Sequence, residues 1–194
     1  MARGPRYRVP YRRRREAKTN YRIRRIMAPS GRTRFVVRAS NKHIIVQLIT
    51  SKIVGDVVHT QANSSELQKY GWLGGNKNTS AAYLLGLLAG RKALSLGIDA
   101  AILDLGLAPP TKGAKIFAAV KGALDAGLEI PCDRDIIPEL GRIEGQSISK
   151  YAASFEDKSE FERVFSGYLK RGLNPQDLPG HFETTKVGIM EASV

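Results

Sequence analysis

The chain is poor in the residues that most chemistry needs. It has one cysteine, Cys132, in 194 residues, so no intrachain disulfide can form, and a reducing compartment is expected. No nucleophile or metal signature surrounds that cysteine. Its three histidines, His43, His59 and His181, are scattered without the spacing that gathers ligands round one ion. The phosphate-loop spacing G-x-x-x-x-G-K-[ST] is absent, although "GLAPPTKGAK" carries similar residues, and no G-x-S-x-G occurs. Asp104 closes a short apolar segment where a catalytic carboxylate would suit, but a loop-ordering role is the simpler reading. Long hydrophobic runs are missing too. "AAYLLGLLAG" (81–90) stops at Arg91 and Lys92, too short to span a bilayer, and reads as a buried helix. The N-terminus lacks an apolar stretch of the signal-peptide kind, so no signal peptide is expected. These absences point away from enzymes, and no metal, cofactor, membrane partner or small-molecule substrate is expected.

Acid is the scarcest item at the N-terminal end. Residues 1–38 hold 14 Lys/Arg and one acid, Glu16, whereas residues 39–194 hold 17 of each. The whole net charge of +13 therefore belongs to an arm attached to a neutral body. Such block asymmetry marks an interaction tail for a polyanion. Its densest part, "YRRRREAKTNYRIRRI" (11–26), fits three readings: a nuclear-type address, a membrane-surface patch, or an anchor on nucleic-acid phosphates. A membrane helix needs a continuous apolar face, and only Ile23, Ile26 and Met27 are available. Tyr7, Tyr11 and Tyr21 are interleaved with the arginines instead. Guanidinium forks pair with phosphate oxygens and tyrosine rings stack on exposed bases. The arm's like charges repel, so it is expected to become helical only when bound.

Past the arm, "RFVVRA" (34–39), "IIVQLIT" (44–50) and "IVGDVVHT" (53–60) are rich in β-branched residues and separated by short polar loops, which predicts an antiparallel meander. Alternation puts Phe35, Val37 and Ala39 on a core face, and Arg34, Val36 and Arg38 on a face leaning toward the polyanion. A Gly/Asn-rich loop (67–80) precedes a helix over 79–96 with Gly97 as its stop. That helix carries small residues at Ala82, Gly86, Gly90, Ala93 and Gly97, a stripe for close approach to a neighbour, expected to be the sheet. A buried strand (100–105) and a second helix (114–126), stopped by Gly127, complete an α/β core of order β-β-β-α-β-α with a mixed sheet. In the mildly acidic remainder, Ser159 and Glu162 suggest a capping box. Phe161, Val164, Phe165, Tyr168 and Leu169 then predict one amphipathic helix ending at Gly172.

Two loops also suit anions. Lys112 and Lys115 are expected in the first turn of the second helix, where the dipole disfavours cations unless an anion is bound. "GNKNTS" (75–80) feeds the first long helix with Lys77 beside it. "SNK" (40–42) caps a hairpin tip.

At these residues the chain resembles a known family. "RRRREAKTNY", "ELQKYGW", "NTSAAYLLGLLAGRKA" and "LDLGLAPPTKGAKIFAAVKGALDAGLEIP" resemble the universal large-subunit ribosomal protein eighteen family, in family order over residues 5–132. "FSGYLKRGLNPQDLPGHF" looks like the longer C-terminal part of its archaeal and eukaryotic-type members. The resemblance implies a translational-machinery-component fold, no enzymatic activity, and a place in the cytoplasmic ribosome. It implies binding of 5S rRNA at the central protuberance, with 23S-type rRNA and neighbouring large-subunit proteins as further partners. It divides the chain into a basic arm (1–32), an α/β core (33–130) and a mostly helical C-terminal extension (131–194).

RNA contacts are then expected in four places. The arm and the strand it feeds offer Arg3, Arg6, Tyr7, Arg8, Tyr11, Arg12, Arg13, Arg14, Arg15, Lys18, Thr19, Tyr21, Arg22, Arg24, Arg25, Arg32 and Arg34. The first hairpin offers Arg38, Ser40, Asn41 and Lys42. The loop before the long helix offers Asn76, Lys77, Asn78 and Thr79, and the loop before the second helix Thr111, Lys112, Gly113 and Lys115. Two other classes compete. A nucleic-acid-modifying enzyme with a basic arm would need a carboxylate or histidine cluster near the basic loops. A non-specific nucleic-acid-binding protein would need cations spread over the body, which is neutral.

Overall fold

The computed structural model describes residues 4–192, so Arg3 lies outside the described residues. The arm holds two helices, α1 (Arg12–Arg15) and α2 (Tyr21–Met27). Asn20 starts α2. Its side chain accepts the N–H groups of Arg22 at 3.1 Å and Ile23 at 3.3 Å, donors with no partner inside the helix.

Strands β1 (Arg34–Ala39), β2 (Ile44–Ser51), β3 (Asp56–Asn63) and β4 (Ile102–Asp104) form one mixed sheet in the order β3-β2-β1-β4. The first three are antiparallel through short turns, whereas β4 runs parallel to β1. A parallel neighbour requires a crossover, which α3 (Thr79–Ser95) supplies. Helix α4 (Lys115–Asp125) follows β4 and completes the expected order of elements. Gly97 and Gly127, just past α3 and α4, hold φ of 72° and 104°, the left-handed turn that stops a helix.

Several local expectations fail. β3 begins at Asp56 rather than Ile53, because Ile53 and Val54 are the hairpin tip. Lys52 and Gly55 close that tip by two backbone bonds of 3.0 and 3.1 Å. The β-branched pair stands fully in solvent, so turn geometry overrides propensity there. Before α3, residues Ser64–Tyr70 form a 3-10 helix rather than loop, started by a capping box between Asn63 and Glu66. And the small-residue stripe of α3 faces α4, not the sheet. A Cβ on Gly86 would strike the Ala119 backbone, and one on Gly122 of α4 would strike the Tyr83 carbonyl.

Phe35, Val37, Ile44, Val46 and Leu48 build the core with Leu84, Leu88, Val120 and Ala123 of the two helices. Val36, on the opposite face of β1, is also fully buried instead of facing a partner. It is bracketed on that face by the long side chains of Arg34 and Arg38.

The C-terminal part is mostly helical: α5 (Leu140–Glu144), α6 (Gln146–Ala153), α7 (Lys158–Val164), α8 (Ser166–Leu169) and α9 (Leu178–Glu191). Leu178, Phe182 and Ile189 of α9 join the central core, and Arg91 of α3 donates to the Ile189 carbonyl. The helix expected to run through Phe161–Leu169 is broken at Phe165 (φ −98°, ψ 15°), which turns into an aromatic cluster with Tyr151, Phe155, Phe161 and Tyr168. Its cap is Asp157, accepting the Ser159 N–H at 2.8 Å, rather than a Ser159–Glu162 box.

Candidate nucleic-acid interface

Arg6, Tyr7, Arg8, Tyr11, Arg12, Arg13, Arg14, Arg15, Lys18, Arg22, Arg25 and Arg32 are all exposed, and Thr19, Tyr21 and Arg24 are half-buried. Glu16, the arm's single acid, pairs with Lys18 at 3.0 Å and more loosely with Arg12 at 3.8 Å. Arg13 donates to Thr19 Oγ1 at 2.7 Å, which closes the turn between the two helices. Among the described residues, Arg14, Arg15, Arg22 and Arg25 form no ion pair. Tyr11 and Tyr21 stack on each other, with ring centroids 5.4 Å apart. The exposed outer side of that pair still offers an aromatic face.

Arg34 departs from expectation. Alternation puts it on the outward face, yet it is 3% exposed. Its guanidinium donates to Asp104 at 2.8 Å, to Asp56 at 2.9 Å and to Ser51 at 3.0 Å. A buried arginine needs such partners, and although its Nε–H donates to no protein group, its burial leaves it no surface to present to RNA. The arm shares this network. Arg24 makes a two-point fork onto Asp56, both bonds 2.8 Å. That hydrogen bond holds the Asp56 carboxyl far below the usual carboxylate range and raises the Arg24 guanidinium further. The arm is thus tied to the start of β3, where repulsion alone predicted a loose chain. Asp104, at the end of β4, pairs with Arg34 and accepts the Gly106 N–H at 2.9 Å, which is a loop-ordering role.

The remaining candidates meet at one end of the sheet. β1, β3 and β4 all run the same way. The hairpin tip after β1, the approach to α3 after β3, and the loop after β4 therefore share that end. Arg38, Ser40, Asn41 and Lys42 are exposed there. Ser40 shapes the tip, its Oγ donating to the His43 carbonyl at 2.9 Å. Asn76, Lys77, Asn78 and Thr79 are half-buried, and Asn78 caps α3 by accepting the Ala81 N–H at 2.7 Å. Thr111 and Lys112 are exposed while Gly113 and Lys115 are half-buried. Lys112 precedes α4 instead of sitting in its first turn, because a turn from Thr111 to Ala114 delays the helix to Lys115. Lys115 and Lys77 come together. Burial, and then the nearby Lys77 charge, push the Lys115 ammonium down from its ordinary value. Arg142 of α5 lines the same cavity as these two lysines. Sequence reasoning missed it because no local pattern links α5 to the helix starts.

No helix among the described residues is long and apolar enough to cross a membrane. No group of His, Cys, Asp or Glu among them could hold a metal ion.

Comparison with known proteins gives the chain's family. The family model for ribosomal large subunit proteins 60S L5 and 50S L18 matches residues 5–100 and 97–133. Large ribosomal subunit protein uL18 of Methanothermobacter thermautotrophicus is 50% identical over 191 residues, covering 98% of this chain and 99% of the relative. The uL18 protein of Staphylothermus marinus is 52% identical over 194 residues, covering 98% and 96%. That of Thermofilum pendens is 51% identical over 194 residues, covering 99% of each. The chain therefore belongs to the family of ribosomal large subunit proteins 60S L5 and 50S L18, and is a structural component of the large subunit rather than an enzyme.

Proposed function

We propose that this protein binds 5S rRNA and attaches it to the 23S-type rRNA at the central protuberance of the large subunit, beside neighbouring large-subunit proteins. One observation carries the reading: residues 1–38 hold the chain's entire net charge, Arg24 ties that segment to the body, and the other described arginines of residues 4–32 stay exposed. In this reading the arm (1–32) lies along rRNA phosphates. The α/β core (33–130) reads RNA shape through the loops at one end of its sheet, and the extension (131–194) packs on the core and on neighbours. Shape and phosphate contacts suit a folded RNA better than a regular duplex.

The test is binding of the full chain to 5S rRNA, a transfer RNA and duplex DNA across a salt series. Preference for 5S rRNA that persists as salt rises is expected, and equal affinity for all three refutes the reading. Removing residues 1–28 is expected to reduce the salt slope by roughly 0.7–0.9 for each phosphate that the arm neutralises. An unchanged slope would take the arm off 5S rRNA.

A further inference from the structure

We propose that Tyr168, Arg171 and His181 of the C-terminal part are positioning residues for RNA binding: they hold the loop of residues 73–78 in the shape that presents Asn76 and Lys77. The inference rests on the RNA-binding reading above and adds to it side chains for which that reading has no use. The loop does not hold itself. Residues 73–77 belong to no helix or strand, and among the described residues they make no backbone-to-backbone hydrogen bond. A free loop of that kind samples many shapes, and ordering it weakens every contact it makes with a partner.

Three side chains, 90 to 108 positions away in sequence, remove that freedom. The Leu73 residue is gripped through its backbone: its N–H donates to His181 Nε2 at 2.9 Å, and its carbonyl accepts from Arg171 Nε at 2.7 Å. His181 needs a bare Nε2 for this, so the proton of its neutral ring sits on Nδ1. The same ring stacks on Trp72, centroids 5.3 Å apart. Trp72 is buried and forms a wall for the loop, since a Cβ on Gly74 would strike the indole. Its Nε1 donates to the Gly75 carbonyl at 3.3 Å. At the far end, the Tyr168 hydroxyl accepts from Asn78 Nδ2 at 3.4 Å and stands 3.3 Å from where a Gly75 Cβ would be. With its nitrogen turned to Tyr168, Asn78 turns its oxygen to the Ala81 N–H that starts α3. Arg171 and Tyr168 brace each other, the guanidinium 5.4 Å from the ring centroid.

The grip on Leu73 serves the core little, because the Leu73 side chain is 37% exposed and Arg171 is exposed. What it fixes is the path of the backbone between Trp72 and α3. Asn76 and Lys77 lie between the two fixed points, Leu73 and Asn78. A loop held at both ends presents them in one geometry. A released loop is competent for part of the time only, and its apparent affinity falls by that fraction.

The test is a double-mutant cycle on the full chain binding 5S rRNA. His181→Phe keeps a ring on Trp72 and removes the acceptor, Tyr168→Phe removes one hydroxyl, and Arg171→Ala removes the carbonyl's donor. Each is expected to weaken binding about three- to tenfold. In a chain that already carries Asn76→Ala and Lys77→Ala, the same changes should cost almost nothing, because the positioned side chains are gone. Equal effects in both backgrounds would make the three residues direct contacts or general stabilisers and overturn the proposal. Native affinity in the three variants, or in the Asn76→Ala, Lys77→Ala chain, would overturn it as well. A second measurement needs no RNA. Trypsin cleavage after Lys77, followed by mass spectrometry of the fragment that begins at Asn78, reads the loop in the free protein. It should quicken several-fold in Tyr168→Phe and Arg171→Ala while the melting temperature stays within about 2 °C of native. Cleavage at the native rate would refute the clamp even if a variant at His181 failed to fold. A native chain with no preference for 5S rRNA would defeat only the function above; the cycle is then run with 23S-type rRNA, where additive effects would sink the positioning role.

Discussion

Asp56→Asn is the most informative change in the body of the protein. One carboxylate joins the arm to the sheet: it accepts two bonds from Arg24, one from Arg34 and one from Ser51 at 3.0 Å. Asparagine keeps one acceptor oxygen and turns an NH₂ group toward donors. The Arg24 pair is about a third exposed on each side, so its loss costs about 0.5–1 kcal/mol. The Arg34 bond is buried, and hydrogen bonds to charged groups contribute about 1.5–3 kcal/mol. Arg34 keeps Asp104 and Ser51, so the cost stays below the roughly 3–5 kcal/mol of an orphaned buried charge. The expected total is about 2–3 kcal/mol, which lowers the melting temperature by roughly 5–10 °C for a chain of this size. Circular dichroism melting measures this, and limited trypsin digestion should show faster cleavage in the released arm. The pH dependence carries the sign. The folded Asp56 carboxyl is held far below its unfolded value of about 3.9, so its contribution is full above that value and fades as pH falls toward the folded one. The gap between native and variant should therefore be constant from about pH 5 to 7 and shrink only in stronger acid. A melting point within about 1 °C of native, with unchanged arm cleavage, would refute the network as the arm's tether.

Two further outcomes follow from the packing. Gly86→Ala should gain about 1 kcal/mol of helix propensity but lose more, because the new methyl meets Ala119 backbone that cannot step aside. A urea midpoint equal to or above native would show that the two helices separate freely. His181 Nε2 accepts the Leu73 N–H at 2.9 Å and its ring stacks on Trp72, so the neutral ring is the one that fits. Burial holds its pKa below the ordinary value, so stability present above about pH 6.5 should decline as pH falls toward the folded value. His181→Gln should flatten that decline, and an equally steep fall in the variant would place its origin elsewhere.

What the sequence reveals depends on how local each cause is. The Arg34–Ala39 strand, the Asn20 cap, the start of α3 and the two glycine stops are short-range events, and residue type alone marks them. The charge division between arm and body is legible for the same reason. Arg34 is not, because its burial depends on Asp56 and Asp104, 22 and 70 positions away. The direction of the small-residue stripe hides likewise, since only tertiary pairing decides whether Gly86 meets a sheet or a helix. Ile53 and Val54 mislead because residues suited to strands also stand at the tip of a two-residue turn. Arg142 reaches the lysine loops through three-dimensional packing alone.

The glycine contact between α3 and α4 also works as a caliper. Seven residues separate Thr79 from Gly86, about 10 Å along the helix at 1.5 Å per residue. At that remove, the absence of two side chains sets the gap between the helix starts, and with it the spacing of Lys77 from Lys115. Widening the jaws by one methyl would shift the tips. A substitution buried between the helices would then register as a change in the spacing of two surface lysines, so residues deep in the core belong to the calibration of the surface.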